Sequence, residues 1–131
     1  MISLGFEFDT RSLRESLAGL PSALDDALEG ALRQSAAAVA HSAKAEHAYT
    51  DRTGRLTRSI RAYAPRGRFS RDTLAVEVVA ATDYASYVER GTTRSRAYAF
   101  LGPAAERNTD RIEHHAHDAL EAALRATGLL R

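Results

Sequence analysis

The sequence predicts an α+β fold in which a small, mainly antiparallel β-sheet packs against one long helix in the N-terminal half and a C-terminal helix. Three observations predict it. Ile2, Leu4, Phe6 and Phe8 alternate with Ser3, Gly5 and Glu7, the two-residue period of a strand with one buried face. Leu74, Val76 and Val78 repeat that period later in the chain. From Pro21 to about Ala48, and again from Pro103 to Leu124, apolar residues recur at three and four positions, the period of a helix with one buried stripe.

Taken in order, the first strand ends near Asp9 or Thr10, either of which can cap a short helix carrying Leu13, Leu17 and Leu20 and stopping at Pro21. Pro21 suits the first turn of the next helix, because its missing N–H is one that a helix start leaves unpaired. The stripe of that long helix runs Leu24, Leu28, Ala31, Leu32, Ser35, Val39, Ser42 and Ala43. Its length, roughly 40 Å at 1.5 Å per residue, predicts an end that projects or meets a partner. Ala36 to Ala45 is alanine-rich, which favours helix and permits close approach of a neighbour, most simply within the fold.

Thr50 to Gly54 has turn composition, and Leu56 and Ile60 then stand four apart on a short helical turn. Ile60 to Ala64 and Thr73 to Ala81 read as the arms of a hairpin, joined by a polar connection from Pro65 to Asp72 with Phe69 near its tip. Asp83 is the expected N-cap of a second short helix. Tyr84, Tyr87 and Val88 share one face of it, with Tyr87 and Val88 expected in the core, and Gly91 sits where a positive φ is needed to leave it. Thr92 to Leu101 should be an extended loop or short strand, after which Pro103 starts the last helix, with Ala105, Ile112, Ala116, Ala119, Leu120, Ala123 and Leu124 inward and Gly128 as its stop. No internal repeat or compositional break divides residues 1–131, so a single domain is expected.

Composition removes several function classes. Cysteine is absent, which leaves no disulfide framework and no thiolate metal site and points to a reducing cytoplasm. The longest apolar runs fall far short of the ~20 residues of a membrane helix, and no basic-then-apolar leader opens the chain. Net charge is +1, yet seven arginines (52, 55, 58, 61, 66, 68 and 71) fall between Arg52 and Arg71 with no acid among them. Lys44 is the only lysine among eighteen basic residues, a bias that suits bidentate pairing with carboxylate or phosphate and that a GC-rich genome would also produce. No nucleophile elbow, phosphate loop or paired carboxylates appear, so no enzyme and no cofactor are expected. His114, His115 and His117 do not converge with Asp110, Glu113 and Asp118 as three ligands should, and an exposed polar face is the reading preferred to a metal site.

Four blocks in this order carry a resemblance. They are the small-residue helix from Ala36 to Ala45; Thr53-Gly54-x-Leu56-x-x-Ser59-Ile60; Tyr84-Ala85-x-Tyr87-Val88-Glu89-x-Gly91-Thr92; and Phe100-Leu101-Gly102-Pro103-Ala104. Together they resemble the siphophage neck or tail-component proteins, small virion proteins encoded between the head-closure and tail genes. Relatives usually have proline just before the residue matching Phe100, where this chain has Ala99, which makes that loop less rigid here.

The resemblance implies a non-enzymatic structural subunit of the neck of a tailed phage, prophage or related particle, assembled in the bacterial host cytoplasm and resident in the virion. It further implies a homo-oligomeric ring, with six copies the expected number, that meets head-closure, tail-terminator or tail-tube proteins and no membrane. Arg66, Arg68, Phe69, Arg71, Glu89, Arg94, Arg96, Tyr98 and Phe100 are the candidate residues for an interface or a DNA-lined lumen. Gly54, Leu56, Ser59, Ile60, Tyr84, Tyr87, Val88, Gly91 and Pro103 are read as structural. Glu89 is expected to pair with an arginine, because an acid in the last turn of a helix opposes the dipole by ~0.3 to 1 kcal/mol. The hairpin arginines could pair with the acidic helix face of a neighbour (Glu106, Asp110, Glu113), the reading preferred for a near-neutral chain, or line a lumen and touch genome DNA through its phosphates. The alternative function is a small nucleic-acid-binding module using the Arg-rich hairpin.

Overall fold

The computed structural model describes residues 1–9, 21–63 and 73–126. Their order is β1 (Ile2–Asp9), α1 (Pro21–Ala45), α2 (Arg55–Ser59), β2 (Ile60–Tyr63), β3 (Thr73–Ala80), α3 (Ala85–Arg90), α4 (Leu101–Arg107) and α5 (Thr109–Ala126). The architecture is α+β, as the alternating and helical periods predict. The helix around Leu13, Leu17 and Leu20, the connection carrying Arg66, Arg68, Phe69 and Arg71, and the stop at Gly128 lie outside the described residues.

The three strands form an antiparallel sheet in the order β1-β3-β2. Register explains which side chains are inside. Ile2 and Ile60 both stand opposite Ala80, and Leu4 and Ala62 stand opposite Val78, so these residues share one face. Val78, Ala80 and Ile60 on that face are fully buried, and Ile2 and Leu4 pack at their edge. Ser3, Gly5 and Arg61 alternate onto the opposite face and are exposed.

The long helix lies across the buried face. Leu28, Ala31, Leu32, Ser35, Val39 and Ala43 follow the predicted stripe and are buried, with Ala36 and Ala40 buried beside it, each large apolar side chain contributing about 1.5–3 kcal/mol. Ala36, Ala40 and Ala43 therefore serve close packing within the chain, while Ala37 and Ala45 face outward. Helix α5 runs antiparallel along α1: Ser35 of α1 meets His115 of α5, and about two turns further along α1 Ser42 meets Arg107 at the end of α4.

Four expectations are corrected. The C-terminal end of α1 meets α4 of the same chain: the Arg107 guanidinium donates to the carbonyl oxygens of Ser42 and Glu46, both at 3.2 Å, and pairs with the Glu46 carboxylate at 3.4 Å. A cation at unpaired terminal carbonyls satisfies both dipole and hydrogen-bond demand. Second, Asp83 does not cap α3. Tyr84 is the N-cap, in helical conformation and without a side-chain bond, while Asp83 lies on the surface 3.8 Å from Arg55. Third, the last helix begins at Leu101, with Pro103 as its third residue; a first-turn N–H has no intrahelical partner to lose. Fourth, that helix is two helices, broken at Asn108, whose side-chain amide donates to Ala104 O at 2.7 Å and whose backbone N–H reaches back three residues to Ala105 O.

Candidate interaction site

Gly91 has φ 79 and ψ 176, a region essentially closed to side-chain-bearing residues, and its N–H ends α3 by donating to Tyr87 O at 2.8 Å. A Cβ there would lie 2.7 Å from the Ala97 backbone nitrogen, so the turn needs glycine for space as well as for angle. The chain then folds on itself: Thr92 N–H donates to Ser95 O, and Thr92 Oγ1 accepts from Arg94 and Ser95 N–H. Tyr98 N–H returns to Val88 O at 2.8 Å. Residues 92–97 are thus an exposed tip on a closed neck.

Glu89 makes the closure. Its Oε2 accepts from the N–H groups of Phe100 (2.7 Å) and Leu101 (3.0 Å), and its Oε1 from Gly102 N–H (3.0 Å). The expected arginine is not its partner: three amides at the start of α4 supply the positive end of a second helix, offsetting the unfavourable end of its own. Charge-assisted bonds of this kind are roughly twice as strong as neutral ones. They deliver Phe100 to the core, fully buried and edge-on to Tyr49 with ring centroids 5.4 Å apart.

Tyr49 joins this side of the molecule to α2. Its hydroxyl lies 2.7 Å from Thr57 Oγ1, which also donates to Asp51, and its ring stacks on His47 with centroids 3.8 Å apart. Burial raises the Tyr49 phenol above its ordinary range, with Asp51 and Tyr84 adding to the shift against the opposing Thr57 hydrogen bond.

Between the 49–52 segment, α3 and the 92–98 turn is an open groove of about 460 Å³. Tyr49, Tyr84, Tyr87 and Tyr98 line it together with Arg52 and Arg96, and among the described residues no acidic side chain does. Tyr87 is 62% exposed, so the prediction that it belongs to the core fails: in so short a helix the i, i+3 partner of Tyr84 falls over the rim. Arg96 stands 5.0 Å from the Tyr98 ring centroid and Arg55 5.7 Å from that of Tyr84, which holds cations beside aromatic faces.

The site residues predicted from sequence separate into distinct groups. Arg94 and Arg96 are exposed on the tip and Tyr98 is half-buried at the groove wall. Phe100 offers no surface in the single chain and serves the core. Gly54 has φ 74 and precedes α2, with its carbonyl accepting from Arg58 N–H, while Leu56 and Ile60 are buried and Ser59 Oγ donates to Leu56 O. Tyr84 and Val88 are half-buried and pack against the core, and Pro103 is half-buried in α4. Tyr49 was given no role, and Arg52 was read only as part of a turn and of the arginine-rich stretch; an aromatic residue and an arginine within four positions was the available signal.

The buried Ser35 hydroxyl is accounted for within the fold, whereas the buried Thr82 hydroxyl has no hydrogen-bond partner among the described residues. Ser35 Oγ donates to Ala31 O at 2.9 Å, so it accepts from His115 at 3.1 Å, which places a proton on Nδ1. The serine is 1% exposed and its hydroxyl proton is already engaged, so the pair joins α1 to α5 and presents no nucleophile. Among the described residues no three His, Asp or Glu side chains converge as metal ligands, and no helix is long and apolar enough to cross a membrane.

No curated protein and no solved structure is significantly similar to the chain. Residues 11–91 match the family described as "Bacteriophage HK97-gp10, putative tail-component". That span includes α1, the Gly54 to Ile60 block, the hairpin strands and α3 up to Gly91, and so most of the core, while Phe100, Leu101 and Ala104 of the core and the 92–98 wall of the groove lie beyond it. Over this span, more than half of its length, the chain belongs to the HK97-gp10-like family, structural tail components of bacteriophages.

Proposed function

We propose that this tail-component protein is a non-enzymatic subunit of the neck of a tailed phage, prophage or related particle, forming a ring, with six copies the expected number, between head and tail. It assembles in the host cytoplasm and docks head-closure, tail-terminator or tail-tube proteins by surface complementarity. The observation that carries this reading is the tyrosine and arginine groove, open in the single chain beside a fixed, exposed tip. Tyrosine and arginine are enriched where proteins associate, because they give large contact area and several donors for little lost conformational freedom.

The reading supports recognition by shape and charge, with burial at the interface offsetting the cost of association. Sedimentation of the purified protein, alone and mixed with the neck and tail proteins encoded beside it, tests the proposal. Concentration-dependent rings or a stable complex are expected; a strict monomer that binds none of those partners would overturn it.

A further inference from the structure

We propose that the groove takes the acidic stripe of a second copy, Glu106, Asp110 and Glu113, which makes the subunit contact head-to-tail. The proposal rests on the ring reading above and names its contact. Glu106, Asp110 and Glu113 follow at four- and three-residue spacing across the α4–α5 junction, all exposed, and none forms an ion pair with another described residue. The groove offers the complement: Arg52 and Arg96 at its wall, Arg94 on the adjoining tip, and no acid among the described residues of its lining. Arg52 and Arg94 likewise have no ion-pair partner among the described residues, and Arg96 has only the Tyr98 ring.

Among the described residues none of these acids pairs with Arg52, Arg94 or Arg96 of its own chain, which leaves both surfaces for a neighbour. The Arg107 contacts fix the start of the stripe beside the end of α1, and the Ser35 to His115 contact fixes α5 antiparallel to α1, so Asp110 and Glu113 are carried back along the helix. The groove lies against the 49–52 segment, which follows the end of α1. Two different patches that fit each other produce a heterologous contact, which closes into a ring when the rotation between copies allows it. About 460 Å³ accommodates several side chains from a helix face and not a whole helix, so the acids and their neighbours would enter while the helix backbone stays at the rim.

Charge reversal on each side tests this. Arg52→Glu with Arg96→Glu, and separately Asp110→Arg with Glu113→Arg, are made in the full chain, and folding is verified by circular dichroism and urea unfolding. Assembly of each is measured by sedimentation velocity, with the cognate neck proteins present and absent. Each variant alone is expected to assemble at least tenfold more weakly than wild type, and an equimolar mixture of the two is expected to regain assembly, since both of its contacts are again between opposite charges. Wild-type-like assembly by either folded variant overturns the groove contact while leaving the ring standing. A wild-type protein that stays monomeric under both conditions overturns the ring and this contact together. Retained assembly with lost, salt-sensitive binding of single-stranded DNA by the groove variant assigns the groove to nucleic acid and overturns the proposal.

Discussion

The side of the molecule built on α1 and the sheet is held by apolar side chains contributed from every layer, whereas the side built on α3, the 92–98 turn and the start of α4 is held by a few polar atoms around one carboxylate. The first buries Leu32, Val39, Ile60 and Val78 almost completely. The second leaves Tyr87 mostly exposed and sends two large side chains, Phe100 and Leu101, into the common core. Apolar packing resists small rearrangements and shows the neighbour nothing; a hydrogen-bonded frame holds its shape while leaving aromatic rings uncovered.

The contrast can be broken first at its joint. Phe100→Ala is expected to lower stability by about 3–5 kcal/mol, as much as Leu32→Ala in the interior or more, because the cavity opens where the two sides meet. Urea unfolding checks the pair, and a loss below about 1 kcal/mol for Phe100→Ala would show that the ring is not an anchor. Glu89→Ala follows at about 3 kcal/mol or somewhat less, since three amides lose an ionised acceptor. Hydrogen exchange should report faster exchange at Phe100, Leu101 and Gly102 than at the amides of Leu32 or Val39.

Glycine positions sharpen the comparison at smaller energies. Gly91→Ala is expected to cost about 2 kcal/mol, because the angle is closed to alanine and the new methyl meets backbone at 2.7 Å. Gly54→Ala should cost about 1 kcal/mol, since its methyl meets only the movable end of Arg58. Equal losses at the two sites in thermal unfolding would contradict that difference. The smallest effect on stability is expected at Tyr87→Ala, within about 0.5 kcal/mol, with the change visible in self-association instead.

The two sides also differ in how far they could be read from sequence. Strand alternation at Ile2 to Phe8 and Leu74 to Val78, and the stripe from Leu28 to Ala43, are periodic over many residues, so the elements and the buried face of the long helix followed from counting, while the pairing of β1 with β3 and its register did not. Around α3 the helix is six residues long and a period has no room to declare itself, which is why Tyr87 was placed inside. Glu89 was recognised as an acid in a costly position, but its partners are backbone amides eleven to thirteen residues away, and backbone groups have no letter in a sequence. The break at Asn108 was invisible for a related reason: apolar spacing continues through it, and only the side chain's competing bond to Ala104 O interrupts the helix. For the groove, the individual residues were legible while their meeting was not, because Tyr49 and Arg52 approach α3 only through the folded chain.

The carboxylate clasp has a consequence for how such a protein can change over time. With Val88 bonded to Tyr98 and Glu89 holding the start of α4, the six exposed residues 92–97 hang from fixed points and nothing in the core depends on their identity. Doubling the length of such a tip costs only about 0.6 kcal/mol in closure entropy. The tip is therefore an exchangeable cassette: sequence and length there can drift to follow a coevolving neighbour, while the clasp preserves the frame that presents them.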